Sequence, residues 1–278
     1  MGIELYTKEF TQRDGIWYSD KKTEIFYPDE GNEGCYQLEQ GSFWFRHRND
    51  CIVELVKQYR PNGLFFDVGG GNGYVAKALE EAGIETVLIE PGEKGCLNAK
   101  KRHLKNIICA TIEDTGFKKE SMPAIGMFDV LEHMKDDIAV LNTMHDYLVK
   151  DGLIFISVPA YRILWSKEDE LAGHFNRYTT GSLSDKLKGA GFEVLFATYM
   201  FSVLPVPIFF LRTISSKLGM DNNKEGMVDK FSNHHKKNIP AMNKIWAWEL
   251  NRIKKNKTIP FGGSCLVVAK KVLKPRNT

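Results

Sequence analysis

Cysteine is scarce. The chain has five in 278 residues (Cys35, Cys51, Cys96, Cys109 and Cys265), an odd number with no CxxC pair or other metal-ligand spacing. That points away from a disulfide framework, and no metal site is expected. Cys109 and Cys265 fall inside apolar strand-like runs, where a thiol packs as a small hydrophobe in a reducing cytosol. An excess of one charge is lacking too: Lys+Arg 38 against Asp+Glu 35 leaves +3, too balanced to imply a nucleic-acid partner. There is no internal repeat and no low-complexity tract. The opening MGIELYTKEF lacks the basic and apolar regions of a signal peptide, and Tyr6 stands where myristoylation needs Ser or Thr, so a cytoplasmic location is expected.

What is present is ordinary globular composition: 43% hydrophobic, 26% charged, mean hydropathy −0.30, with a length that suits one large domain or a domain with a cap. Charge is unevenly placed. Residues 201–278 carry 15 Lys/Arg and 4 Asp/Glu. Residues 1–41 are aromatic and polar with little periodicity and read as an irregular cap. Ile52, Leu55, Val56 and Tyr59 then mark one helix face. Strand-like runs follow at Leu64–Asp67, Thr86–Glu90, Asn106–Ala110, Ala124–Asp129, Leu153–Val158, Phe192–Thr198 and Ser264–Ala269, several separated by helical patterns. Such alternation indicates a mainly parallel sheet covered on both faces. Residues 205–258 interrupt it with a helical stripe at Met242, Ile245, Trp246, Leu250 and Ile253.

The strongest local signal is Asp67-Val-Gly69-Gly70-Gly71-Asn-Gly73, between a strand and a helix. Ligands of open parallel sheets bind beyond the carboxyl ends of the strands, and glycines let a backbone approach them closely. Glu90 closes the second strand, where a carboxylate can accept hydrogen bonds from ribose hydroxyls. A nucleoside-containing cofactor follows. Gly71-Asn-Gly73-Tyr-Val-Ala76 also satisfies the dinucleotide pattern GxGxx(G/A), which keeps a nicotinamide-dependent oxidoreductase open as an alternative. Asp67 opposes it, because an acid at the mouth of the loop repels a pyrophosphate and suits a cationic amino group. A plainer role for Asp67 is to cap the loop by accepting from backbone amides.

These residues resemble the class I S-adenosylmethionine-dependent methyltransferases, in particular the ubiquinone-biosynthesis-like group (methyltransferase types 11, 12 and 23). Asp67–Gly73 looks like their first motif, Val87–Glu90 their second, Ala110–Asp114 the segment that lines the adenine, and Phe128-Asp129-Val-Leu-Glu132-His133 the fourth-strand motif. Leu153–Pro159 resembles the fifth strand. Trp165-Ser166…Asp169 with Gly173-His174…Arg177-Tyr178-Thr179 resembles a signature of one bacterial subgroup. The likeness covers roughly 40–200 and the last strand. It implies an α/β, Rossmann-like fold with a seven-stranded, mostly parallel sheet and helices on both faces. It also implies S-adenosyl-L-methionine as cofactor. Asp67 with the backbone of Gly69, Gly70, Gly71 and Gly73 would take the methionine end and Glu90 the ribose. Thr111, Ile112 and Glu113 would border the adenine, and Phe128 with Asp129 would lie beneath the sulfur. Arg48, preferred to Arg46, would meet the cofactor carboxylate; the alternative is a solvated arginine beside an aromatic anchor. Pro123 stands where relatives open the fourth strand with Asp, so a bent strand start is expected.

Methyl transfer needs donor and acceptor in line, and a hydroxyl acceptor benefits from a base. His174 and His133 are the candidate catalytic residues, with Asp169 and Tyr178 also in reach by sequence; for His133 the favoured alternative is a packing histidine at a helix start. Arg177 and Tyr178 could orient the acceptor or pin the loop. His234-His235 reads as a solvated basic turn, not a metal site. The expected organisation is an N-terminal cap over 1–48, a methyltransferase core over 49–204 and 259–278, and a helical insertion over 205–258 acting as an acceptor lid. The 18 residues Val194–Leu211 carry no charge, but Pro205, Pro207 and the sixth strand argue against a membrane span. Peripheral membrane contact through 200–218 remains. The expected function is methyl transfer to a small-molecule or lipid-like acceptor, on oxygen rather than nitrogen by analogy, with no nucleic-acid partner. A non-catalytic module that binds the cofactor is the remaining alternative.

Overall fold

The structure, a computed structural model, describes residues 6, 10–21, 35–39, 41–217 and 240–272. Its centre is a sheet of β1 (Phe10–Arg13), β2 (Ile16–Ser19), β3 (Phe65–Val68), β4 (Thr86–Ile89), β5 (Ile107–Cys109), β6 (Met122–Phe128), β7 (Leu148–Pro159), β8 (Phe192–Met200) and β9 (Ser264–Lys271). The order across the sheet is β1-β2-β5-β4-β3-β6-β7-β9-β8. β2 to β7 run parallel, while β9 is antiparallel to both β7 and β8. Every residue of β3 and β4 is buried, as strands covered by helices on both faces must be. The strand order reverses between β3 and β6, with β4 and β5 on one side and β7 on the other, which makes their carboxyl ends the switch point where ligands of such sheets bind.

The seven expected strands are all present. Among the described residues nine form, because residues 10–19, read as part of an irregular cap, fold into a hairpin. Asp14 and Gly15 turn the chain at φ +51° and +80°, both in the left-handed region that two-residue hairpin turns require. Each arm has only four residues and Ile16 alone is fully buried among them, too short a run to show alternation. β2 then extends the sheet, pairing Ile16 with Ile107. At Pro123 the β6–β7 register shifts between Met122 and Ala124, a bulge where the missing N–H cannot join the ladder.

The helix Phe43–Tyr59 precedes β3. Ser42 caps it by accepting from the Trp44 amide at 3.1 Å, and Ile52, Leu55 and Val56 are buried. It starts before the expected boundary at residue 49. The helix Pro240–Lys254 packs on it: the Trp246 ring stacks on His47 at 4.7 Å, and Gln58 donates to the Ile253 carbonyl at 2.8 Å. Its apolar stripe joins the main core, so this half of the 205–258 stretch belongs to the core packing. Residues 205–217 are helical and lie against the loop after β7, where Thr213 donates to the Leu164 carbonyl at 3.2 Å and Ser216 accepts from the Lys167 amide at 3.1 Å. His234 and His235 lie outside the described residues. Among the described residues no helix is long and apolar enough to cross a membrane.

Candidate active site

The parallel strands deliver five loops to one sheet edge. The first is the glycine loop after β3. Gly69, Gly71 and Gly73 take φ of +69°, +54° and +69°, and a Cβ on Gly70 would stand 2.4 Å from Asp67 Oδ2 and 2.5 Å from Leu88 Cδ1. The loop therefore tolerates side chains neither in its conformation nor in its floor. Asp67 lies beneath it, fully buried. Among the described residues neither of its carboxylate oxygens has a hydrogen-bond partner. Burial pushes its carboxyl up to about 7; the Arg48 guanidinium opposes the rise, the Glu90 carboxylate adds to it, and the Ala76 amide opposes it.

Glu90 ties down the loop amides. It accepts from the Gly71 amide at 2.9 Å and from the Gly92 amide at 2.8 Å, tying the glycine loop to the turn after β4. Each carboxylate oxygen has a second lone pair to offer, so the anchor role does not exclude the ribose. A further acid, Glu39, reaches the loop from the segment read as irregular. It is ion-paired with Arg102 and accepts from Asn72 at 3.3 Å, while Asn98 donates to Asn72 at 3.0 Å. Sequence patterning offered no signal for Glu39, which lies in a stretch without periodicity.

Thr111, Ile112 and Glu113 follow β5, with Ile112 buried and Glu113 exposed. After β6, the Phe128 side chain points into the core and stacks on Phe65 at 6.3 Å. Asp129 turns outward at φ +58°, accepts from the Ser157 hydroxyl at 3.1 Å and is ion-paired with Arg48. Arg48 is buried and Arg46 exposed, so the pre-core helix sends the first to the switch point and the second to solvent.

The fifth element is the loop after β7. His174 Nδ1 lies 2.8 Å from Asp169 Oδ1, and Arg177 Nε donates to the same oxygen at 2.7 Å. Asp169 is 1% exposed and also accepts from the Ser166 amide at 2.9 Å. Burial alone would raise its carboxyl, but hydrogen bonds from His174 and Arg177 hold it at about 2. The acid is thus ionised and fixes the His174 tautomer with Nε2 outward. The His133 ring meets that of His174 at 4.8 Å and 78°; burial and the neighbouring imidazole lower it to about 4, leaving it neutral at neutral pH. Tyr178 is not a base. Its hydroxyl donates to buried Asp137 at 2.9 Å, and burial with that acid raises the phenol. Arg177 also donates to the Ala160 carbonyl at 2.9 Å, so it pins this loop.

The methyltransferase domain family matches residues 45–196, more than half of the chain and all of the elements just described except the flanks. The chain belongs to the methyltransferase domain family. It is similar to the ubiquinone biosynthesis O-methyltransferase of Haemophilus ducreyi, 28% identical over 131 residues, which are 42% of this chain and 56% of that one. The chain thus spans about half the length of the curated relatives it matches. A S-adenosylmethionine-dependent methyltransferase of Thermotoga maritima shares the fold at TM-score 0.53 and 17% identity, covering 88% of this chain and 100% of its own. The Haemonchus contortus phosphoethanolamine N-methyltransferase 2, solved with S-adenosylhomocysteine, does so at TM-score 0.54 and 16% identity, over 88% of this chain and 58% of its own.

The same Haemonchus contortus enzyme is also solved with S-adenosyl-L-methionine, a cofactor that supplies an activated methyl group. The residues present fit it. Asp67 is a buried acid whose two carboxylate oxygens lack a close hydrogen-bond partner among the described residues, eased only by Arg48 and the Ala76 amide, and a side-chain-free floor lies above it. A cationic amino group satisfies such an acid, whereas a pyrophosphate would not.

Proposed function

We propose that this methyltransferase transfers the methyl group to a hydroxyl of a small or lipid-like acceptor. The observation that carries the reading is the Asp169–His174 pair, 2.8 Å apart, at the edge that also holds Asp129 and the glycine loop. Amines need only lose a proton, but a hydroxyl gains nucleophilicity from an oriented base. Bound S-adenosylmethionine would supply the methyl group, its sulfur keeping the electron pair of the S–CH3 bond as the O–CH3 bond forms, and Nε2 of His174, oriented by Asp169, would take the hydroxyl proton. Asp67 holds the amino group and Glu90 the ribose. Arg48, shared with Asp129, meets the cofactor carboxylate. Gly69, Gly70, Gly71 and Gly73 admit the methionine end, Thr111, Ile112 and Glu113 border the adenine, and Phe128 backs the turn that aims Asp129.

A lipid-like acceptor is supported by apolar side chains exposed around the same loops: Ile163 64%, Phe175 50%, Val206 57% and Phe210 60%. Residues 205–217 act as its lid, and the described part of the 200–218 stretch, up to residue 217, rests on a lipid surface. Incubation with labelled donor and a cell extract, then identification of the labelled product, tests the proposal. A methyl ether or ester of an apolar molecule is expected; a methylated amine or a labelled protein would overturn it.

A further inference from the structure

Two thiols that methyl transfer does not use meet beside the acid Glu90. Cys96 stands in the helix Glu93–Lys101, and Cys109 closes β5. Cys96 sits in a buried cluster with Leu88, Ala99 and Ile107, and Cys109 packs on the margin of the same cluster. Each sulfur faces a carbonyl of the turn after β4: Cys96 donates to the Glu90 carbonyl at 3.2 Å and Cys109 to the Pro91 carbonyl at 3.8 Å. The two side chains also hydrogen-bond each other, and that contact, with burial, raises the Cys96 thiol well above its ordinary value. Carbonyls of adjacent residues and a direct thiol–thiol contact thus hold the sulfurs side by side, where small side-chain rotations bring them to bonding distance. Their exposure differs. Cys96 is fully buried, whereas Cys109 is half-buried. An oxidant reaches Cys109 first, and Cys96 stands behind it as the resolving partner.

The place matters to the site. The Glu90 amide donates to the Ile108 carbonyl at 3.0 Å, and the Glu90 carbonyl accepts from the Ala110 amide at 3.2 Å, so Glu90 lies opposite Cys109 in the sheet. Its carboxylate carries the Gly71 and Gly92 amides. A bond between the sulfurs removes the S–H donor from the Glu90 carbonyl and draws the helix toward β5 across the turn that aims this carboxylate.

We propose that Cys96 and Cys109 form an oxidative modification site, closed to a disulfide by a hydroperoxide, that weakens cofactor binding at Glu90. The Cys109 sulfur, as thiolate, attacks the O–O bond, and an alcohol leaves carrying the thiol proton. The Cys96 sulfur then attacks the sulfenic acid, the S–S bond forms and water leaves. Two thiols lose two electrons and two protons, and the hydroperoxide becomes one alcohol and one water. In a reducing cytosol such a bond is transient and is reopened by exchange with thiols. The effect on the cofactor rests on the ribose reading of Glu90 above; the disulfide does not.

The reduced full chain, treated with stoichiometric hydrogen peroxide, blocked with N-ethylmaleimide and mapped by mass spectrometry, tests the site. A linked Cys96–Cys109 peptide pair is expected, and dithiothreitol should reopen it. By calorimetry the oxidised chain should bind S-adenosylhomocysteine at least about fivefold more weakly than the reduced one, and bound S-adenosylhomocysteine should favour the dithiol by the same factor in a glutathione redox titration. Cys109→Ala and Cys96→Ala should form no such link. Each should keep an affinity within about twofold of the reduced parent before and after peroxide. Should Cys96→Ala not fold, Cys109→Ala, at the half-buried side, decides. No linked pair, linkage through other cysteines instead, or a Cys109→Ala chain that loses affinity in peroxide as the parent does overturns the site. A Cys96–Cys109 link that leaves the affinity unchanged overturns the control of the cofactor and leaves the site standing. A reduced parent that binds no S-adenosylhomocysteine overturns the cofactor reading alone.

Discussion

A Cβ at Gly70 would stand 2.4 Å from Oδ2 of Asp67, so the chain keeps an open floor directly above a buried acid whose carboxylate oxygens lack a close hydrogen-bond partner among the described residues. An unpaired buried carboxylate is costly. Folding of the ligand-free protein must therefore be opposed by Asp67 wherever it is charged in both states.

The sign follows from linkage. The folded carboxyl is raised to about 7 from 3.8, so between those values the folded state binds more protons than the unfolded one. Stability falls as pH rises from about 4 to about 7 and is flat above, by on the order of 4 kcal/mol at full charge. Asp67→Asn should remove most of that fall and make the ligand-free protein more stable at pH 8. Urea unfolding at pH 5, 6, 7 and 8 measures it. A variant less stable than its parent at pH 8 would show that Asp67 is a structural cap.

Glu90 has the opposite character. It carries the amides of Gly71 and Gly92, and hydrogen bonds to a charged acceptor contribute about 1.5–3 kcal/mol each. Glu90→Gln keeps one acceptor and turns a donor toward the other amide. A loss of about 1–3 kcal/mol in ligand-free stability is expected, besides weaker cofactor binding. Unchanged ligand-free stability would confine Glu90 to the ribose.

Much of this was legible beforehand. Seven strands announced themselves because both faces of a parallel strand are buried, which makes Phe65-Phe66 or Val87-Leu88-Ile89 unbroken apolar runs. The hairpin did not, although Asp14-Gly15 is a turn pair, because four-residue arms carry no period. The glycine loop, Asp67 and Glu90 were legible as a site, but not the division of labour between the two acids: which carboxylate meets the loop amides depends on the path of residues 69–73 in space. The Asp169–His174 contact depends likewise on Gly173 turning at φ +75°. Glu249 did leave a trace, an acid three places after Trp246 and four before Ile253 on an otherwise apolar face.

That buried acid accepts from His47 at 2.8 Å, from the Phe201 amide at 2.9 Å, and from the Ser202 amide and hydroxyl at 2.6 Å each. Burial would raise it, but His47 and Ser202 hold it below the usual range. Removing one partner of a buried charged network typically costs about 3–5 kcal/mol. Glu249→Ala should lose that much by urea unfolding, whereas Trp248→Ala, on the outer face of the same helix and 47% exposed, should stay within about 0.5 kcal/mol. Equal effects would refute the anchor.

Chemistry and binding should separate at His174. His174→Ala is expected to lower turnover on the identified acceptor by about 10²–10⁴-fold and to leave affinity for S-adenosylhomocysteine within about twofold. Single-turnover transfer and calorimetric titration read the two. Undiminished turnover would remove His174 from the reaction.

The central claim is that Asp67 recognises the cationic amino group of the cofactor. Calorimetry with S-adenosylhomocysteine and with methylthioadenosine, which lacks the amino-acid tail, isolates that contact in the parent chain and in Asp67→Asn. The parent should prefer S-adenosylhomocysteine by more than about tenfold, roughly 1.4 kcal/mol, and the preference should shrink severalfold in the variant. An equal preference in both proteins would contradict the assignment of Asp67 to the cofactor.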